Sequence, residues 1–402
     1  MARFKQEHFV DAVARCLAVA CVIALIFATF RLFNGADTPF LAFSAAGAAV
    51  VHFTNRPRPS EVALTALFAG ILAIAYARSG GVFGHYSAAG AVTVAAFLGL
   101  GSTLVLGWNA CRSTAALGRL LLATFCPLLV IFTNVALAAI IPFQPKVFDL
   151  FLYRFDGLLG LQISFLVGKW FAASSFLQGL CFLVYSALPL AEVLVFLLFV
   201  RGNRMPANPL VVFIVAGVAG FAFYQVCPAT GPVHVFGAKY PNSPPALLLF
   251  ETVRLDDVPR NAIPSLHSAW ALLLWWNVRY CRRWIRHTAM VFLLLTLLAT
   301  LGLGEHYLID LVVALPFSAA VAAAGARRFA IAFGSSAMTL AWLLYLRLGL
   351  AASSPSPLLA WIAVLATLAV AAMACAAELK TRPTRTPQTP ASSGIPSVRI
   401  AE

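Results

Sequence analysis

Runs of about twenty apolar residues recur along almost the whole of this 402-residue chain, and each is long enough to cross the hydrocarbon core of a bilayer. Hydrophobic residues make up 61% of the chain and charged residues only 10%, whereas soluble domains carry roughly a quarter charged residues. No water-soluble core could bury so many of these runs. The sequence therefore predicts an all-α fold, a polytopic transmembrane helical bundle.

Hydropathy divides these runs into twelve predicted spans. They lie near residues 9–33, 38–54, 61–78, 85–107, 117–141, 176–200, 208–226, 263–280, 286–303, 306–325, 327–348 and 357–377. A weaker apolar stretch, residues 157–171, is bracketed by charged residues and is predicted to be an interfacial or re-entrant helix. The segment from Lys380 onward is poor in apolar residues, so we expect a disordered cytoplasmic tail.

The positions of Lys and Arg predict the orientation of the chain, because cytoplasmic loops carry an excess of both. If the N-terminus is cytoplasmic and twelve spans alternate, the inner side holds 19 of the 28 basic residues and five of the 14 acidic ones. The outer side holds nine basic and eight acidic residues. The sequence therefore predicts a multi-pass protein of the cell membrane with both chain ends in the cytoplasm.

The net charge of +14 does not indicate a nucleic-acid-binding protein, because the basic residues form no basic helix and no aromatic-interleaved patch. The eight cysteines show no CxxC pair and no metal-ligand spacing, so we expect neither a disulfide framework nor a zinc site. Glu192, the only clear charge near the middle of a span, is predicted to pair within the bundle, and lining a substrate path is the alternative. Four histidines have no partner at a useful spacing: His52, His85, His234 and His287.

Two polar segments interrupt the apolar sequence, both on the predicted outer side. Arg260–Ser268, which reads Arg-Asn-Ala-Ile-Pro-Ser-Leu-His-Ser, opens the eighth span, and Gly302–Asp310 opens the tenth. A histidine and an aspartate four residues apart share one helix face, so Asp310 can accept a hydrogen bond from His306 and leave its other nitrogen free to attack. His267, on a neighbouring helix, can donate a proton to the leaving oxygen. These residues predict phosphoryl transfer that needs neither a metal nor a cofactor.

The alternative for these three residues is structural, because a single histidine or aspartate at a helix end is usually a solvated cap. Two histidines stand at outer helix entries here, however, in a chain with only seven histidines. Ionisable groups at the edge of a membrane are also expensive to bury without a function. We therefore favour the catalytic interpretation.

The phosphate's negative charge needs a partner, and the outer loop, residues 227–262, offers candidates. Arg260 lies closest to the histidine segment and can bind a phosphate through two hydrogen bonds, although it can equally pair with Asp256 or Asp257. Lys239 is a weaker candidate. Ser265 can donate a hydrogen bond to phosphate or can simply cap the helix. Arg260, Ser265 and Lys239 are therefore the predicted phosphate-binding residues.

Pro264-Ser-Leu-His267 followed by His306-x-x-x-Asp310 resembles the second and third signatures of the type-2 phosphatidic acid phosphatase superfamily. The resemblance implies a six-helix core in which these signatures begin the fourth and sixth helices. Here spans five to ten, residues 117–325, form that core.

The resemblance covers about half of the chain. It leaves three regions unexplained, namely the four N-terminal spans, the two C-terminal spans and the tail, at residues 1–116, 326–378 and 379–402.

Departures from the superfamily pattern point to one of its branches. The first signature, Lys followed seven residues later by Arg-Pro, is absent, Thr300 replaces an arginine, and Leu266 replaces a glycine. These departures are similar to the inositolphosphorylceramide synthase branch of inositolphosphotransferases.

That resemblance implies a phosphotransferase that acts on lipid-linked phosphate or phosphodiester substrates through a phosphohistidine at the extracytoplasmic face. The acceptor is an alcohol in that case, and a lipid phosphate phosphatase, which uses water, is the alternative. A twelve-span transporter is the alternative from another class, although transporters usually place polar groups near the bilayer midplane.

Overall fold

The computed structural model describes residues 38–78, 89–245, 251–350 and 356–379, together with a few helical residues between 12 and 25. Most of the predicted first span and the tail from residue 380 lie outside the described residues. Fifteen α-helices occupy the described ranges. They are α1 (Thr38–Thr54), α2 (Pro59–Arg78), α3 (Ala89–Ala110), α4 (Thr114–Ile140), α5 (Asp149–Leu158), α6 (Ile163–Ala173), α7 (Ser175–Ser186), α8 (Leu188–Val200), α9 (Pro209–Tyr224), α10 (Pro232–Phe236), α11 (Leu266–Asn277), α12 (Arg283–Gly302), α13 (Leu308–Gly325), α14 (Phe329–Arg347) and α15 (Pro357–Leu379).

Seven of these helices are long and apolar enough to cross a bilayer, and they are α2, α3, α4, α12, α13, α14 and α15. The count over the described residues rises to nine if each of two bent pairs is one span, α5 with α6 at 93° and α7 with α8 at 50°. Helices α1 and α9 are apolar but shorter, and α11 has only 12 residues. The fold is that of a multi-pass membrane protein, and the count of twelve spans stays a prediction.

Small residues allow α1 and α3 to pack closely, and Ala45 and Ala48 of α1 are buried against neighbouring helices. A Cβ atom added to Gly99 of α3 would lie 1.8 Å from the carbonyl oxygen of Ala45, so a side chain there would force the helices apart. Close backbone approach of this kind replaces the hydrophobic driving force that lipid does not supply.

Helix α13 lies at the centre of the second half of the chain. Ile309 and Val313 pack with α5, α14 and α15 in one buried cluster. Ala314 and Phe317 pack with α9 and α11 in another. The first residues of α13 are therefore surrounded by other helices.

A short antiparallel ladder ties the outer loop to the segment before α5. Strand β1 (Lys146–Val147) pairs with β2 (Val253–Arg254), with Val147 opposite Val253. Phe148 N donates to Pro228 O at 2.8 Å and extends the connection to the start of the loop. The loop is thus fastened at both ends beside α5.

Candidate active site

The two predicted polar segments meet where α11 and α13 begin. Ser265 N donates to the carbonyl oxygen of Asp310 at 3.3 Å, which joins the segments through the backbone. The Ser265 side chain caps α11, because its Oγ accepts from Ser268 N at 3.4 Å and lies 2.9 Å from Ser268 Oγ. The structure therefore brings His267 and His306 to the same end of the bundle.

His306 is buried, and its hydrogen bonding fixes its tautomer. Its Nδ1 lies 2.8 Å from the carbonyl oxygen of Ala262. A carbonyl can only accept, so Nδ1 must carry the proton and Nε2 keeps a free lone pair. Burial lowers the pKa of His306 to about 4, which favours the neutral ring. The result is an imidazole with one nitrogen available for nucleophilic attack.

Asp310 contributes less directly to this tautomer than the sequence predicted. Its Oδ2 lies 3.5 Å from His306 Nδ1, beyond a good hydrogen bond, and accepts from Tyr307 N at 2.8 Å as part of a capping box. The Ala262 carbonyl is therefore the main orienting group, and a backbone oxygen carries no signal in a sequence. Asp310 remains close enough to stabilise positive charge on the His306 ring.

His267 lies in an aromatic environment that the sequence did not predict. Its ring stacks on Tyr185 of α7, with centroids 4.0 Å apart and planes within 19°. Phe40 of α1 lies 5.5 Å away, and the ring is only half-buried. His267 lies in the first turn of α11 and His306 just before α13, and the bond from Ser265 N to Asp310 O joins the starts of these two helices.

Two buried aspartates of α5 hold the segments of the site in place. Asp156 accepts from Leu308 N at 2.7 Å and Ile309 N at 3.1 Å, and so caps the start of α13. Asp149 accepts from Gly231 N at 2.8 Å in the outer loop. In the sequence Asp156 stood out only as a charge beside a weak apolar stretch, so its partners were not foreseeable.

The hydrogen bonds continue from Asp149 to His306. Thr230 N donates to Asp149 at 3.1 Å, and its neighbour Ala229 accepts from Ala262 N at 2.9 Å. The carbonyl of Ala262 then receives the proton of His306 Nδ1. The orientation of His306 thus depends on a loop that α5 anchors.

The three predicted phosphate-binding residues lie in different surroundings. Arg260 is buried, and its guanidinium donates to the carbonyl oxygens of Gln144, at 3.0 Å, and of Val258 and Leu255. Asp256 pairs with Arg254 instead, at 3.3 Å. These contacts make Arg260 a brace of the outer loop and lend no support to its predicted phosphate role.

Ser265 and Lys239 also lack a contact that indicates phosphate binding. Ser265 is fully buried as the cap of α11. Lys239 is exposed at the end of a short 3₁₀ turn, Gly237–Lys239. Their phosphate roles stay predictions.

A contact between His234 and Glu305 lies next to His306, and the sequence did not predict it. His234 Nε2 lies 3.4 Å from Glu305 Oε2, and the two residues are 71 positions apart. Both act electrostatically on His306, which follows Glu305 directly. Spacing could not reveal this pair, because the outer loop folds back to form it. In the described part of the chain, no three His, Cys, Asp or Glu side chains are grouped to hold a metal ion.

Comparison with known proteins places this site within one matched segment. Residues 150–324 match the PAP2 superfamily. The match spans less than half of the chain and contains His267, His306 and Asp310. It indicates phosphatase or phosphotransferase activity for the segment. No curated protein and no solved structure matches the chain significantly.

Proposed function

We propose that this protein is an integral membrane phosphotransferase that acts on lipid-linked phosphates or phosphodiesters through a phosphohistidine on His306. The observation that carries the proposal is the contact between His306 Nδ1 and the Ala262 carbonyl at 2.8 Å, which leaves Nε2 unprotonated. The PAP2 superfamily match over the same segment supports the class of reaction.

In the first step, His306 Nε2 attacks phosphorus, the N–P bond forms and the bond from phosphorus to the leaving oxygen breaks. The protonated His267 gives its proton to that oxygen, and the anionic phosphate favours this protonated state. The positive charge that develops on His306 is stabilised by the Ala262 carbonyl and by Asp310, 3.5 Å away. The aromatic rings of Phe40 and Tyr185 offer an apolar contact to the lipid part of the donor.

In the second step, an alcohol or water attacks the phosphohistidine and its proton passes to a base at the site. The similarity to the inositolphosphorylceramide synthase branch favours an alcohol, and a lipid phosphate phosphatase is the alternative. We place the chemistry at the extracytoplasmic face, on the positive-inside distribution of Lys and Arg. The transporter alternative gains no support from the family match.

The test uses purified protein in nanodiscs, incubated with labelled lipid phosphates and phosphodiesters, with and without added alcohols. We expect label on His306 after rapid quenching, and phosphorylated alcohol among the products. Release of inorganic phosphate alone, with alcohol present, would assign a phosphatase. Turnover without any label on His306 would contradict the phosphohistidine mechanism.

The side of the membrane is tested separately, with cysteines introduced at residues 203 and 243 and an impermeant reagent on intact cells. Labelling at 243 alone is expected. Labelling at 203 alone would place the chemistry on the cytoplasmic side.

A further inference from the structure

The His234–Glu305 pair includes the residue that directly precedes His306, and the proposed mechanism does not use it. The two side chains are 28% and 32% exposed, so a molecule arriving from outside can reach them. His306, in contrast, is only 2% exposed. A partly exposed contact between a histidine and a carboxylate contributes little to stability, so its position beside His306 needs another explanation.

The pair is held rigidly in place by backbone contacts on both sides. Val233 N donates to Gly304 O at 3.0 Å, which joins the residues that precede His234 and Glu305. Gly231 adopts a φ of 103°, and a Cβ atom there would lie 2.3 Å from the Glu305 carbonyl oxygen. Only glycine permits this close approach at such a backbone angle.

Tyr240 fixes the same region from the other side of the outer loop. Its hydroxyl lies within 3.0 Å of the carbonyl oxygens of Ser164, Leu301 and Gly302. A side chain at Gly304 would collide with the Tyr240 ring at 2.8 Å. The His234–Glu305 pair therefore rests on a braced loop, as a catalytic base requires.

A histidine with one ring nitrogen hydrogen-bonded to a carboxylate can act as a general base through its other ring nitrogen. If Nε2–H of His234 donates to Glu305 at 3.4 Å, Nδ1 is left to accept a proton. Catalytic hydrogen bonds are often long before substrate binds. Glu305 directly precedes His306 in the chain, so a hydroxyl group held by this pair would lie close to a phosphate on His306.

We propose that His234 and Glu305 form the acceptor site, where they bind the hydroxyl group of an alcohol and take its proton in the second half-reaction. The alcohol oxygen attacks phosphorus, the new P–O bond forms, and the N–P bond to His306 Nε2 breaks with its electron pair returning to nitrogen. The hydroxyl proton passes to His234 Nδ1. This inference rests on the proposed function and deepens it by naming the residues that meet the acceptor.

The experiment separates the two half-reactions with an aryl phosphodiester and an aryl phosphomonoester as donors and glycerol as acceptor. The aryl group of both donors is nitrophenyl, so the burst of released nitrophenol measures formation of the phosphohistidine. The decay rate of the phosphohistidine is then plotted against glycerol concentration. The slope of this plot measures transfer to glycerol, and the intercept measures transfer to water. His234→Ala should lower the slope about a hundredfold, in the range of general base catalysis, because its base is gone.

Glu305→Gln should lower the slope by a smaller factor, since it keeps the hydrogen bond but removes the charge. His287→Ala is the matched control, because His287 is exposed at the far end of α12 from Gly302. An unchanged slope in His234→Ala would overturn the acceptor site while leaving the phosphohistidine mechanism intact. A parallel fall in burst rate and slope would overturn it too, because His234 would then act before the acceptor. A wild-type protein without a burst from either donor would instead contradict the proposed function.

Discussion

In the N-terminal helices α1, α3 and α4 the buried hydroxyl groups of Ser44, Ser102, Thr103 and Thr124 bond to their own helix, whereas at the start of α13 buried polar groups bond across the chain. Ser102 Oγ donates to Leu98 O, four residues back, at 2.8 Å. Asp156 accepts from Leu308 N, 152 residues away, at 2.7 Å. A hydroxyl that bonds its own helix is satisfied in any packing arrangement, but the contacts of Asp156 exist only when separate segments assemble correctly. The geometry of the site is therefore a property of the whole fold.

The same contrast appears between a buried histidine of the N-terminal helices, His52, and the buried His306 just before α13. His52 is 3% exposed, and its Nε2 lies 3.3 Å from Thr65 Oγ1. A hydroxyl can donate or accept, so this contact leaves the tautomer of His52 open. The carbonyl of Ala262 only accepts, so it assigns the tautomer of His306. Burial is similar in the two residues, and the kind of partner distinguishes His306, the proposed nucleophile, from His52.

The largest expected effect comes from His306→Ala. Turnover and covalent capture of phosphate should disappear together, because the proposed mechanism forms the covalent intermediate on His306. Acid-quenched labelling and product release measure the two. The matched variant His52→Ala should lower thermal stability and keep labelling. Loss of labelling in His52→Ala would mean that the N-terminal helices take part in the chemistry, which would break the contrast.

Asp310→Asn should keep the fold and lose most of the activity. An amide oxygen can still accept from Tyr307 N, but it cannot stabilise the positive charge that develops on the ring of His306. Steady-state turnover measures the loss. Glu61→Gln is the control in α2, since Glu61 also accepts from a side chain and a backbone N–H, from Asn109 and Arg58. Near-normal turnover in Asp310→Asn would assign Asp310 to helix capping alone.

His267→Ala should discriminate between donors. A natural lipid alkoxide leaves poorly without a proton, so its transfer should fall by about 10²–10⁴-fold. An aryl phosphate carries a good leaving group and should still phosphorylate His306. The ratio of the two rates, compared with the wild-type ratio, is the measurement. Equal losses on both donors would show that His267 is not the leaving-group acid.

The sequence singled out the candidate-site residues that lie in its two polar segments, His267, His306 and Asp310. Pro264-Ser-Leu-His267 and His306 with Asp310 were identifiable because each lies in a polar segment between apolar runs. The bend between α5 and α6 lies in the stretch predicted to be interfacial or re-entrant. Local polarity and hydropathy were sufficient for these features.

The remaining parts depend on contacts between distant segments and were not predictable. The Ala262 carbonyl that orients His306 has no side-chain signal. The role of Asp156 appears only when α5 reaches the start of α13, and the His234–Glu305 pair only when the outer loop folds back. Proximity in sequence favoured a phosphate contact for Arg260, whereas its guanidinium donates to three backbone carbonyls, and its phosphate role stays a prediction.

Two substitutions compare how much a long-range hydrogen bond and a bond within one helix contribute to stability, namely Asp156→Ala and Ser102→Ala. Removing Asp156 leaves the N–H groups of Leu308 and Ile309 buried without an acceptor, at about 1–3 kcal/mol each. Removing the Ser102 hydroxyl leaves the Leu98 carbonyl with its helical bond, so the cost should be about 1 kcal/mol or less. Thermal unfolding in detergent measures both. Similar shifts in the two variants would show that long-range capping is no more important than bonding within a helix.

The smallest expected effect is the response of phosphohistidine formation to acid. Burial lowers the pKa of His306 to about 4, partly opposed by Glu305 and by the bond to Ala262. A lowered pKa keeps the ring neutral, and therefore nucleophilic, at a pH where an ordinary histidine is protonated. At pH 5 about nine-tenths of His306 should remain neutral, so the nitrophenol burst rate should stay within about twofold of its value at pH 7; with an ordinary pKa near 6.5 it would fall about 25-fold. An aryl phosphodiester is the right donor, because its phosphate does not titrate in this range and its leaving group does not require the His267 proton. A midpoint near 6.5 would mean that water reaches His306 in the free protein. His306 would then not be the buried ring, held by the Ala262 carbonyl, that the comparison with His52 assumes.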